Sequence, residues 1–100
     1  MRLSPEQVAI IRQAAQESFG PEARVWLFGS RVDDSKRGGD IDLYVESPQP
    51  SADALDQQLR FWSLLQRRLG EQRIDIVIRA ADSTPQAIHQ VARRTGVPLS

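Results

Sequence analysis

The chain has 100 residues, a length that fits one domain, and we expect residues 1–100 to fold as a single domain. Thirteen basic and thirteen acidic residues cancel, so no net charge draws the protein to nucleic acid or to an anionic membrane. The lack of cysteine excludes disulfides and thiolate zinc sites, and a single histidine excludes a histidine-cluster metal site. No apolar run is long enough for a membrane span or a signal peptide, so a cytoplasmic protein is expected.

The first predicted element is a helix that begins after Ser4. Ser4 has the character of an N-cap, Pro5 takes the first helical position, and Gln7 completes a capping box. Apolar residues then recur at helical spacing until Gly20-Pro21 ends the helix. They are Val8, Ile11, Ala15 and Phe19.

Three short segments are typical of β-strands. Residues 24–28 (RVWLF) form an apolar run that predicts a buried strand. Residues 40–46 (DIDLYVE) alternate, which puts Asp40, Asp42, Tyr44 and Glu46 on one face and Ile41, Leu43 and Val45 on the other. Residues 73–78 (RIDIVI) alternate in the same way and place Asp75 on a polar face.

Two further helices complete the chain and fix the predicted fold. One carries an apolar stripe closed by Gly70, and the other opens at Ser83-Thr84-Pro85 and runs to about Arg94. The stripe consists of Leu55, Leu59, Trp62, Leu65 and Leu69. The order αβ(loop)βαβα predicts an α/β (α+β) fold, with a small mixed three-stranded sheet and helices packed mainly on one face. We expect the other face to be polar and to carry three aspartates.

The spacing of these aspartates favours a metal site. Asp40 and Asp42 point to the same side of their strand, with Cα atoms roughly 6.5–7 Å apart. Carboxylates at that distance can converge on one hard cation or bridge a pair, and Mg²⁺ shared with substrate phosphates suits such ligands. If the strand of Asp75 is a neighbour, all three acids meet on one surface, where a cation is needed to offset their repulsion.

A Gly-Ser pair precedes the first two aspartates. Gly29 lets a ligand approach the backbone closely, and the amides around Ser30 favour phosphate at the start of a helical turn. Arg31, Lys36 and Arg37 add positive charge to the same stretch. Phosphate binding at one end and metal binding at the other would explain why residues 29–42 are so polar.

Gly29-Ser30, nine intervening residues and Asp40-Ile41-Asp42 resemble the G-S…D-x-D signature of the DNA polymerase beta-like nucleotidyltransferase superfamily. The short motifs GSR, GGDIDL and RIDIVI resemble sequences of its minimal nucleotidyltransferase (MNT) branch in particular, over about residues 24–78. The stretch between the motifs is slightly shorter than is usual for the family, which leaves the placement of Arg31 and Lys36 open.

The resemblance implies a nucleotidyltransferase fold and a role for each matched residue. Asp40, Asp42 and Asp75 would be catalytic and would hold two Mg²⁺ ions with ATP as the substrate. Gly29, Ser30 and Arg31 would bind the nucleotide. The implied reaction is transfer of AMP to a hydroxyl, and many members of the branch are antitoxins encoded beside an HEPN-domain toxin, some of which modify a tyrosine of that toxin.

Other interpretations of the same residues remain open. Asp40 and Asp42 are also what an edge strand shows to solvent, and Arg31 and Lys36 are also ordinary surface charges. His89 is expected at the surface or an interface, and Trp26 and Trp62 in the core or at its margin. Tyr44 would stack near the nucleotide or cover the sheet. Two other functions fit the fold, a non-catalytic antitoxin that acts by contact and a small-molecule nucleotidyltransferase. The helix of Trp62 is a candidate docking face.

Overall fold

The computed structural model describes residues 3–29 and 41–99. Within these ranges the chain forms three α-helices and four β-strands, and a 3₁₀ turn, Ser51–Asp53, leads into the second helix. In chain order the elements are α1 (Pro5–Phe19), β1 (Arg24–Phe28), β2 (Ile41–Glu46), α2 (Ala54–Leu69), β3 (Ile74–Arg79), α3 (Ala87–Thr95) and β4 (Val97–Pro98). No helix among these residues has the length and apolar character needed to cross a bilayer.

The first helix begins where its capping signal predicts. Ser4 Oγ accepts a hydrogen bond of 3.1 Å from the Gln7 N–H, and the Gln7 side chain accepts one of 2.9 Å from the Ser4 N–H. Two of the amides that a helix start leaves without a partner are thereby satisfied. One side of α1 is buried, through Ile11, Ala14, Ala15, Ser18 and Phe19.

The strands form one mixed sheet in the order β3-β2-β1-β4. β1 pairs antiparallel with β2 and with β4, whereas β2 and β3 are parallel neighbours joined through α2. The predicted count of three strands was wrong, because β4 adds a fourth. Its two residues follow Gly96 directly and include a proline, so no strand pattern marks it in the sequence.

Helices cover the sheet on both faces. Alternate residues of β1 and β2, such as Val25 and Leu43, join the main core with α1 and α2. The intervening residues Trp26 and Tyr44 form a second cluster with Ala92 of α3. Two helices therefore lie on the predicted apolar face, and α3 covers part of the face that was expected to be polar throughout.

The helix α2 buries only part of the predicted stripe, since Leu65 and Leu69 pack in or against the core and the other three residues do not. Three residues of the predicted stripe are exposed by 66%, 55% and 45%, namely Leu55, Leu59 and Trp62. The buried residues of the helix are Phe61, Leu64 and Leu65. The ring of Phe61 meets the ring of Phe19 edge to face, with centroids 5.3 Å apart, so contact with α1 selects this side. The sequence places apolar residues on two adjacent sides of α2, and helical spacing alone does not indicate which side faces the core.

Candidate functional site

Asp42 and Asp75 are direct register partners on the parallel strands β2 and β3. Paired residues of neighbouring strands face the same side, and the strands lie about 4.7–4.9 Å apart. Asp42 is half-buried and Asp75 is exposed. The two carboxylates thus form one row at the end of the sheet where β2 and β3 begin, on the face that also carries Tyr44.

Gly29 brings the end of β1 against this row. Phe28 is the register partner of Asp42, and Gly29 follows it with a φ of +78°. A Cβ atom built on Gly29 would overlap Oδ2 of the Asp42 carboxylate and lie 3.0 Å from its Cγ. Glycine is therefore favoured at this position for two reasons. It adopts the positive φ without strain, and it leaves the space that the Asp42 carboxylate occupies.

The remaining predicted site residues lie outside the described ranges. They are Ser30, Arg31 and Asp40, together with Lys36 and Arg37. The structure brings Gly29, Asp42 and Asp75 together. The roles of all six predicted site residues stay predictions.

The two described carboxylates suit a divalent cation. Among residues 3–29 and 41–99 there is no group of three or more histidines, cysteines or acids that could hold a metal ion. Asp42 and Asp75 nevertheless supply two hard oxygen donors on one face, the ligand type that Mg²⁺ takes from protein while keeping several waters. The donor set fits such an ion.

A second group of polar residues, which sequence reasoning missed, lies farther along the same face under α3. Tyr44 is 1% exposed and its hydroxyl donates a hydrogen bond of 2.9 Å to Glu46 Oε2. Burial, and then that hydrogen bond, raise the pKa of Tyr44 to about 12. Arg79 and Arg93 lie 3.9 Å and 3.6 Å from the same carboxylate oxygen. The polar pattern of β2 indicated Glu46, but the two cations come from elements whose packing was not predicted.

This arrangement settles two expectations. Tyr44 covers the sheet beneath α3, where a nucleotide has no room to stack on it. His89 is buried, which makes the prediction of a surface residue wrong. Its ring stacks on Tyr44 with centroids 5.7 Å apart, and its Nδ1 accepts a hydrogen bond of 3.1 Å from the Gln86 N–H. His89 therefore closes the start of α3 onto the sheet.

A groove of about 430 Å³ adjoins Asp75 on the outer side of β3. It is lined by residues of α2 and β3: Gln58, Leu59, Trp62, Ile74, Asp75 and Ile76. The groove exists because α2 turns Leu59 and Trp62 away from the core and toward the edge of the sheet. Trp26, by contrast, is buried as predicted, with 7% of its surface exposed.

A comparison with protein families agrees with the fold. The model of the family described as Polymerase beta, Nucleotidyltransferase matches residues 11–99. A comparison with curated proteins gives no significant match. The family match spans every strand of the sheet and both described aspartates, and the chain belongs to this nucleotidyltransferase family.

Proposed function

We propose that this member of the nucleotidyltransferase family transfers AMP from ATP to a hydroxyl group, and that the acceptor is a tyrosine of an HEPN-domain toxin. Residues 1–100 would then act as one minimal nucleotidyltransferase domain, the antitoxin of the pair. The observation that carries the proposal is the direct register of Asp42 with Asp75, beside a glycine that leaves room for the Asp42 carboxylate.

Each residue has a distinct task in this proposal. Asp42 and Asp75, with Asp40, would hold two Mg²⁺ ions, which would supply charge neutralisation at the entering and leaving oxygens of the α-phosphate. Asp75 is exposed at the rim of the row, where an incoming hydroxyl can reach it, and would accept the hydroxyl proton. Gly29, Ser30 and Arg31 would position the triphosphate. Pyrophosphate leaves as the acceptor oxygen bonds to the α-phosphorus.

The choice of acceptor is supported by sequence resemblance. The words GSR, GGDIDL and RIDIVI are similar to those of the minimal branch, in which a partner toxin is a common target. The row of carboxylates is also open to a large acceptor, because Asp75 is exposed on the same face of the sheet as Asp42.

A labelling experiment tests the proposal. The full chain is incubated with α-labelled ATP, Mg²⁺ and the protein encoded by the adjacent gene, and labelled protein is measured. We expect transfer by the native chain and a loss of at least about 100-fold in Asp42→Asn and Asp75→Asn, since each removes a charged ligand or the proton acceptor. Asp56→Asn is the matched control, because Asp56 is an exposed acid on α2 outside the site.

Equal labelling by the native chain and Asp42→Asn would sink the catalytic proposal. Neutralisation of the neighbouring toxin that persists in an Asp42→Asn/Asp75→Asn double variant, with no labelling by any variant, would favour the contact-only antitoxin. Labelling of a small hydroxyl compound in place of the protein would favour the small-molecule enzyme. Circular dichroism of each variant verifies that the fold is retained.

A further inference from the structure

The strand β3 forms one edge of the described sheet, and half of its main chain faces outward. The Ile41 N–H donates to the Arg73 carbonyl at 3.0 Å, and the Ser47 N–H donates to the Arg79 carbonyl at 2.9 Å. In a parallel ladder every second residue bonds to the neighbouring strand, so Arg73, Asp75, Val77 and Arg79 face β2. The N–H and C=O groups of the three residues between them point away from β2 and can pair with another strand. Those residues are Ile74, Ile76 and Ile78.

Apolar side chains lie next to this edge. Leu59 and Trp62 of α2 are 55% and 45% exposed and border the groove of about 430 Å³ that Ile74 and Ile76 also line. An edge strand with outward main-chain groups and large apolar neighbours is a pairing surface unless charges oppose the pairing. The charges on β3 decide which strand can pair.

We propose that two copies of this chain associate edge to edge through β3, antiparallel, with Asp75 of each copy opposite Arg79 of the other. In this register Ile76 of one copy and Ile78 of the other form the hydrogen-bonded pairs, which uses only outward-facing residues. Val77 of one copy lies opposite Val77 of the other, on the two-fold axis. Each copy thus presents the same patch to the other, as a closed dimer requires.

Two of the neighbouring registers bring like charges together. If the register shifts so that Ile76 of one copy lies opposite Ile76 of the other, Arg73 of each copy lies opposite Arg79 of the other. A further register shift in the same direction places the Asp75 residues of the two copies opposite each other. The neighbour on the other side, with Ile78 opposite its counterpart, places Asp75 opposite Ala81 and so loses the pair of Asp75 with Arg79. Like charges directly opposite destabilise a strand pair, whereas opposite charges stabilise it. The proposed register pairs Asp75 with Arg79 twice, once on each side of the axis.

The surrounding residues are compatible with this pairing. Arg79 lies 3.9 Å from Glu46 Oε2, but Arg93 lies 3.6 Å from the same oxygen and stays with Glu46 when Arg79 turns to Asp75 of the second copy. On the other side of the sheet the exposed Leu59 and Trp62 of both copies come close to the junction and lose contact with water. Pairing at an edge widens the sheet and leaves uncovered the face on which Asp42 and Asp75 both lie, so both carboxylates stay accessible from that side.

Charge exchange tests the proposal on the full chain. The mass in solution is measured by sedimentation and light scattering over a wide concentration range. Asp75→Arg and Arg79→Asp should each raise the dimer dissociation constant at least tenfold, and the combined Asp75→Arg/Arg79→Asp variant should restore it. Glu22→Arg, an exposed acid far from β3 in the turn before β1, should leave it unchanged. A native chain that stays monomeric, or a double variant that dissociates like the single ones, would overturn the proposal.

Cross-linking tests the register separately. The chain has no cysteine, so a single introduced cysteine can form a disulfide only with the same cysteine of a second copy. Val77→Cys would place two thiols in a directly opposed pair whose Cα atoms are about 4.5 Å apart, within the range of a disulfide. Ile76→Cys is the matched control, because Ile76 faces Ile78. Rapid formation of a disulfide dimer by Val77→Cys but not by Ile76→Cys supports the register. Disulfide formation by Ile76→Cys at an equal or higher rate overturns it. Since one test measures mass and the other disulfide formation, their outcome is independent of any transferase activity.

Discussion

The hydroxyl of Tyr44 donates its hydrogen to Glu46 beneath α3, at 2.9 Å, and the phenol is sealed from solvent. Burial and this bond raise the pKa of Tyr44 from 10.0 to about 12. The neutral phenol is therefore the form that the fold stabilises. Its contribution to stability is complete below pH 10.0 and is lost as the pH rises toward 12.

Titration of the ultraviolet absorbance of phenolate checks this prediction, because Tyr44 is the only tyrosine in the chain. We expect a midpoint near 12 in the folded protein and near 10.0 after unfolding in denaturant. Glu46→Gln should lower the folded midpoint but leave it above 10.0, since burial is the larger cause. A native midpoint at 10.0 would show that α3 does not cover the ring.

Gly29→Ala should damage both stability and transfer, whereas Gly70→Ala should damage stability alone. Both glycines have positive φ, +78° and +88°, so alanine introduces backbone strain of about 1–3 kcal/mol at each. Only at Gly29 does the new methyl group also meet the Asp42 carboxylate. Denaturant unfolding measures the first effect, and the labelling assay measures the second. Full labelling by Gly29→Ala would contradict the close approach of β1 to Asp42.

Phe61→Ala and Trp62→Ala should differ strongly although the residues are adjacent. Phe61 is fully buried against Phe19, so its loss should lower the free energy of unfolding by about 3–5 kcal/mol. Trp62 is 45% exposed, and its loss should cost less than about 1 kcal/mol at concentrations where the chain is monomeric. Chemical denaturation of the two variants checks the orientation of α2. The reverse order of effects would support the stripe predicted from the sequence.

Asp82 should remain ionised to lower pH than an ordinary aspartate. Its carboxylate accepts hydrogen bonds from the Ser51 N–H at 2.8 Å and the Ser51 Oγ at 3.2 Å, and these hold its pKa below 3.8. The contribution to stability is therefore present above pH 3.8 and is lost as the pH falls through the lower, folded pKa. Carboxyl-carbon NMR measures this pKa. Ser51→Ala should raise it only in part, because the bond from the backbone N–H remains.

The order of the elements followed from the sequence because local signals agreed with the final packing. The capping box at Ser4 fixed the start of α1, and alternation in residues 40–46 and 73–78 identified the strands of Asp42 and Asp75. The strand β4 was missed because its two residues pair only after α3 has brought the chain back to β1. The core side of α2 was predicted only in part, through Leu65 and Leu69, because contact between Phe61 and the sequence-distant Phe19 turns the helix away from the rest of the stripe.

The candidate site was predictable only in part, for a similar reason. Period-two alternation assigned Asp42 and Asp75 to polar strand faces, but their direct register depends on how β2 and β3 slide past each other. The need for glycine at position 29 follows from the nearby Asp42 side chain, which residue spacing does not reveal. His89 was misplaced because nothing local to its helix shows that Tyr44 lies below it.

The alignment of Asp42 with Asp75 depends on main-chain pairing within the sheet, not on the stretch that joins Gly29 to Ile41. The spacing of these two acids is therefore a property of the parallel pair of β2 and β3, and a change elsewhere in the chain alters it only by shifting that register.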